Sequence, residues 1–328
     1  MYSLGLISKY RTQLMGCSAI LILLCHAPTY VDFPSIISAI FSRGGCGVDI
    51  FLFLSGVGLW YSLSRSPQIK LWYKIRFIRL LVPYLLIFAP LTIIRGFMEH
   101  IDIINVIGDI TTISFWTRHS SAWFVAVLVP LYLFAPLIFN YFRKAHTNST
   151  RFLRLLVLIS LCIVFGSIKR DMVEYKSFIY NFQFALYRIP TFIFGLFLGP
   201  YIAQNYKCRF PILINLFLCL IAVVLKHYIP KLPISIFLFV PLLMIMSLFF
   251  SKELVLFNRV ASFMGRISLE SYLFNVTLPF FIIRSNIFCN LFDNYVLYLI
   301  VTIIGVLLSI IISRISHVII GKFTNLIV

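Results

Sequence analysis

The sequence predicts an all-α polytopic transmembrane helical bundle of about ten spans with both termini cytoplasmic. Three observations carry that reading. Hydrophobic residues make up 61% of the 328 positions and charged residues 12%, at a mean hydropathy of +1.00, so a soluble domain would lack the polar surface to cover its apolar side chains. The apolar residues fall into repeated runs of about 18 to 20, the length of a helix that crosses a ~30 Å hydrocarbon core. The basic residues, finally, collect on alternate connections between those runs.

In chain order the runs cover roughly 13 to 30, 44 to 63, 77 to 97, 121 to 140, 152 to 168, 181 to 201, 210 to 225, 232 to 250, 267 to 284 and 294 to 313. The first follows Lys9 and Arg11 as a secretory signal would, but no small-residue cleavage pattern follows Cys25, so it reads as a retained helix. The second opens in the glycine-rich stretch Gly44 to Gly56. The third opens at the basic cluster Lys70, Lys74, Arg76 and Arg79. Pro83, Pro130, Pro136, Pro190 and Pro279 fall inside spans, where proline kinks a helix and lets a polar cavity open between neighbours.

With both ends inside, the inner segments hold 18 basic residues and a single acid, Glu253, while the outer segments hold nine basic and seven acidic residues. This asymmetry sets the orientation. The formal net charge of +18 is therefore read as a topology signal in contact with anionic lipid, and no nucleic-acid partner is expected. Seven cysteines, an odd number without metal-ligand spacing, give neither a disulfide framework nor a metal site. The chain reads as one integral-membrane domain over 1–328 with no appended soluble domain, so function must be built from helices and short loops.

Gly44 to Gly56 places a carboxylate, Asp49, inside a membrane span, and His26 lies in the preceding run. Ionisable groups there are costly and mark functional sites by default. The first span runs outward and the second inward, which sets both residues about four positions, or ~6 Å, below the outer interface. A carboxylate beside an imidazole fixes its tautomer and raises its basicity, the arrangement of a general base for a hydroxyl nucleophile. The competing reading makes His26 a hydrogen-bonded packing residue and Asp49 a helix-start cap.

Arg76 and Arg79 share one helix face at the expected inner start of the third span, where the helix dipole also favours anions. They suit a cytosolic phosphate-bearing ligand or, alternatively, anchor the helix. Arg188, in the outer half of the sixth span, needs an anionic partner or substrate group. Glu270 stands four residues after Arg266, the spacing of a structural ion pair.

Six segments taken in order resemble acyltransferase family three, the integral-membrane O-acetyltransferases of bacterial surface polysaccharides. They are the opening helix ending in His26, GCGVDIFLFLSGVGLW, KIRFIRLLVPYLL, SSAWFVAVLVPLYLFAPLI, YRIPTFIFGLFLG and SLESYLFN. The resemblance spans nearly the whole chain and implies a roughly ten-helix fold in the bacterial plasma membrane. It also implies acetyl-coenzyme A as cytosolic acyl donor and a surface glycan or lipid-linked sugar as acceptor. By matching position, His26 would be catalytic and Arg76 and Arg79 would meet the coenzyme's phosphates. The family usually carries an arginine eleven residues before the histidine; here that position is Met15, and Arg11, one turn earlier, is the candidate substitute.

Two function classes follow. In the first, an O-acetyltransferase, His26 deprotonates the acceptor hydroxyl or carries the acyl group, Asp49 orients it, and Arg188 assists substrate or oxyanion binding. In the second, a transporter of a lipid-linked sugar or anionic metabolite, Asp49 and Arg188 line a pathway; such folds carry inverted repeats, and the sequence shows no convincing one.

Overall fold

The computed structural model describes residues 1–65, 68–117, 123–166, 176–209, 235–252, 254–284 and 293–325, with residues 213, 216, 217, 220, 221 and 224 between them. In chain order its helices are α1 (Gly5–Lys9), α2 (Arg11–His26), α3 (Ser35–Ser42), α4 (Cys46–Arg65), α5 (Ile69–Met98), α6 (Ile103–Ile110), α7 (Ile113–Thr117) and α8 (Trp123–Arg143). They continue as α9 (Asn148–Gly166), α10 (Lys176–Ala203), α11 (Ser235–Phe250), α12 (Val255–Arg266), α13 (Ser268–Arg284) and α14 (Asn294–Asn325). A two-residue antiparallel ladder, β1 (Tyr2–Ser3) with β2 (Lys207–Cys208), ties the N-terminus to the chain just after α10. Tyr2 also meets Ser247 Oγ at 2.6 Å, and burial there raises the phenol pKa to about 12.

Among the described residues, 7 helical stretches are long and apolar enough to cross a membrane, and the shorter apolar helices Phe239–Phe250 and Ser268–Ile283 stand beside them. The chain is a helical membrane bundle. The run expected at 210 to 225 lies largely outside the described residues. Two eight-residue helices are too short to span and expose isoleucines instead: Ile36 and Ile40 on α3, and Ile103, Ile104 and Ile107 on α6. Such faces suit the membrane interface.

Some expected elements differ. Helix α5 begins at Ile69, two turns before the expected 77, because Trp72 is buried and its indole N–H donates to Ser62 Oγ at 2.8 Å, docking the extra turns on α4. A helix, α12, occupies what the sequence suggested was a connection. It packs on α2 through Gly16 and Gly265, where a Cβ on Gly16 would overlap the Ala261 carbonyl and one on Gly265 the Thr12 carbonyl. Close backbone approach of this kind is how helices associate where burial from water offers no drive.

The largest helix contact joins α4 and α10, which run parallel in a single register. Asp49 meets Arg188, 139 positions away, and the same offset pairs Gly56 with Gly195 and Trp60 with Gly199. At the middle pair each glycine faces the other helix's backbone, so that an added Cβ would overlap the Phe192 or Phe53 carbonyl oxygen. Helix α14 starts beside Asp32, whose carbonyl accepts from the Tyr295 hydroxyl, and returns past Glu270 at Ser313. The N-terminus and the last described turns of α14 therefore lie at one end of the bundle, the end holding Arg11; His26 marks the other.

Candidate active site

Two cavities lie along the bundle axis between α2, α5, α8 and α13. The one toward the Arg11 end measures about 120 Å3 and is walled by Met15 and Ile22 of α2, Arg76 and Arg79 of α5, Tyr132 of α8 and Tyr272 of α13, among others. The one toward the other end measures about 360 Å3, and its wall includes His26, Thr92, Arg95, Asp109, Trp123 and Thr277.

The partition between them is thin. Ile22 faces one cavity and His26 the other, one turn or ~6 Å along α2, and Tyr272 and Val276 repeat that spacing on α13. Phe124 and Trp123, adjacent on α8, face opposite cavities. The partition is filled by rings: Phe124 stands 5.2 Å from Tyr272 and 6.2 Å from Phe51, centroid to centroid. Beside it Tyr84, fully buried, stacks on Phe88 at 5.1 Å and donates to the Ile110 carbonyl at 3.0 Å.

His26 is the last residue of α2, so its imidazole sits where the helix ends and the chain turns through Ala27–Thr29. Among the described residues it has no hydrogen-bond or ion-pair partner. The expected contact between His26 and Asp49 does not form. Asp49 is 0% exposed and pairs instead with the Arg188 guanidinium, itself 13% exposed. The reason is register: the offset that seats Gly56 against Gly195 also places Asp49 opposite Arg188, and a full positive charge outcompetes a neutral imidazole for a buried carboxylate. Neither residue lines the His26 cavity. Arg188 stacks over Phe184, which forms part of the wall and packs on Trp123 at 4.8 Å.

The structure brings Arg76 and Arg79 together on one cavity wall, but not at a helix start. With α5 beginning at Ile69 they lie in its second and third turns, beyond the reach of the dipole, which fades within the first. Their guanidinium groups, not the helix end, supply the positive potential. Met15 faces the same cavity. Arg11 does not: both its Nε and Nη2 donate to the Leu54 carbonyl at 3.4 Å, through the clearance left by Gly58, where a Cβ would come within 2.9 Å of Nη2. The expected Glu270–Arg266 pair is also absent among the described residues; Glu270 is buried and turned to Ser313.

Sequence reasoning missed several wall residues. Asp109 had the appearance of an outer-loop charge, yet α6 folds back so that the Asp109 backbone carbonyl accepts from Tyr84 at 3.2 Å and the residue joins the His26 cavity. Arg95, paired with Glu99 at 2.9 Å and set 5.0 Å over the Phe280 ring, joins it from α5. The signal available was spacing, since Leu91, Thr92 and Arg95 fall at intervals that share a helix face.

Comparison with protein families matches residues 14–314 of 328 to the family described as acyltransferase domain. The chain belongs to acyltransferase family three. The match contains both cavities, and comparison with curated proteins and with solved structures gives no match. Membership makes this multi-pass membrane protein an acyltransferase, and the reading as a transporter gives way to it.

Proposed function

We propose that the protein moves an acetyl group from cytosolic acetyl-coenzyme A to a hydroxyl of a surface glycan or lipid-linked sugar on the other side of the bacterial plasma membrane. The observation that carries this is the pair of cavities separated by one helical turn, with Arg76 and Arg79 on one side and the His26 imidazole on the other. Arg76 and Arg79 hold the coenzyme's phosphates by charge-assisted hydrogen bonds. The slender pantetheine arm carries the thioester through the partition beside Phe124 and Tyr272.

In the other cavity, Trp123, Tyr30 and Phe280 give flat apolar faces for one sugar ring, with Thr92, Asp109 and Arg95 as polar partners. At about 360 Å3 the space matches the small end of ligand sites, roughly 300–1,000 Å3. His26 takes the proton from the acceptor hydroxyl as that oxygen attacks the thioester carbonyl. The C–S bond breaks, and the departing sulfur receives the proton back from the imidazolium. Asp49 and Arg188 hold α4 and α10 in register and do not touch the reacting atoms. The test is glycan NMR on a strain deleted for this protein. Loss of O-acetyl signals from an otherwise intact glycan, restored on complementation, supports the reading; an unchanged O-acetyl pattern overturns it.

A further inference from the structure

A third cavity, of about 350 Å3, opens at the Arg11 end between α4, α8, α9 and α10, walled in part by Trp60, Ser64, Phe139, Arg143 and Arg151. Its charge is unbalanced. The sequence has no acidic residue between Asp109 and Asp171, and among the described residues neither Arg143 nor Arg151 has a carboxylate partner.

Topology anchoring accounts for an arginine that reaches for the membrane surface, but Arg151 is turned inward. Its guanidinium carbon stands 5.8, 5.5 and 5.5 Å from the ring centroids of Phe142, Phe197 and Tyr201, and Nη2 donates to the Phe197 carbonyl at 3.0 Å. The buried Nε has no partner. Rings and a carbonyl orient a cation without neutralising it. Helix α9 starts beside it, capped by Thr147, whose Oγ1 accepts from the Thr150 N–H at 3.1 Å, and adds its positive end to the same corner. Trp60 forms a flat wall because Gly199 lies directly behind the indole, where a Cβ would collide with the ring.

This cavity and the Arg76 cavity share one face of α8. Leu128 and Tyr132 wall the Arg76 cavity, Phe139 and Arg143 the third cavity, and the intervals of four, seven and four residues keep all of them in line. Tyr132 and Phe139 are about 10 Å apart along the helix. A ligand with phosphates at both ends of that interval fits the pair of sites better than either alone.

We propose that the third cavity receives the nucleotide end of the acyl donor, with the base on Trp60 and the ribose 3′-phosphate on Arg143 and Arg151. This leaves the pyrophosphate to Arg76 and Arg79. The assignment rests on the donor reading above. A phospholipid headgroup offers the same phosphate chemistry, so the test separates the two.

Binding of coenzyme A and of 3′-dephospho-coenzyme A to the purified full chain is measured by calorimetry, in nanodiscs of zwitterionic lipid. The wild type is expected to prefer coenzyme A by about tenfold or more, and Arg143→Gln to lose most of that preference. Arg143 is exposed and holds no described partner, so this variant keeps its fold; Arg151→Gln is the second test. Equal binding of the two coenzymes by the wild type, or a preference that survives both substitutions, overturns the assignment. So does retention of phosphatidylglycerol, seen by native mass spectrometry, that depends on Arg143 while coenzyme binding does not. If coenzyme A binding needs Arg76 and Arg79 but not Arg143, only this inference fails. If the wild type binds no coenzyme A, the donor reading fails with it.

Discussion

Replacing Arg188 with Met strands a carboxylate. Asp49 is 0% exposed, its Oδ1 has no partner, and its Oδ2 depends on the Arg188 guanidinium, so the substitution leaves a buried charge that solvent cannot screen. Breaking a buried pair from one side costs about 3–5 kcal/mol, whereas replacing both members with apolar groups of similar size is often neutral. Arg188→Met should therefore destabilise the bundle severely, and Asp49→Leu/Arg188→Met much less, with a coupling energy of about 2–3 kcal/mol. The assay is a double-mutant cycle on detergent-solubilised protein, scoring the folded fraction by size-exclusion chromatography across a denaturant series. Single effects that add to the double within about 0.5 kcal/mol would show that the pair is not a coupled unit and refute the reasoning. A second readout addresses role. Because neither residue lines the His26 cavity, the double variant should keep acyl transfer within about tenfold of wild type once corrected for folded protein, a loss of at most ~1.4 kcal/mol.

Other outcomes follow from the same geometry. Gly56→Ala and Gly195→Ala force a Cβ into a facing carbonyl and should each cost about 1–3 kcal/mol in unfolding, while Gly321→Ala, with open space around it, should be neutral or stabilising. Arg76→Gln combined with Arg79→Gln should weaken coenzyme A binding tenfold or more in calorimetry, each lost charge-assisted bond being worth about 1.5–3 kcal/mol; unchanged affinity would make the pair an anchor only. Met15→Arg points a third guanidinium into the cavity of Arg76 and Arg79 and should tighten coenzyme binding while lowering the melting temperature of the ligand-free protein.

Membrane class was legible in the sequence because composition and span length depend on residues one at a time. The expected four-residue depth does not hold for His26, which closes α2, while Asp49 lies in the first turn of α4. The partner of Asp49 was not legible, since it depends on how α4 slides against α10. A signal did exist in hindsight. Gly56 lies seven residues after Asp49, and Gly195 seven after Arg188, so two helices that cross at their glycines must bring the charges together. The start of α5 was misplaced because Lys70 and Lys74 read as loop, although they form the exposed face of a helical turn whose other face buries Trp72. Asp109 joined the site through a backbone hydrogen bond to Tyr84, which no side-chain pattern announces.

In the proposed reaction His26 does chemistry at the far side of a thin partition from the donor. Reconstituted protein is supplied with labelled acetyl-coenzyme A on the Arg11 face only and an acceptor glycan on the His26 face only, and label on the glycan is counted for wild type and His26→Ala. Removing a general base should cut transfer by about 10²–10⁴-fold, with coenzyme A affinity and folded yield unchanged. Transfer by His26→Ala within tenfold of wild type, or wild-type transfer that needs donor and acceptor on the same face, would contradict the account.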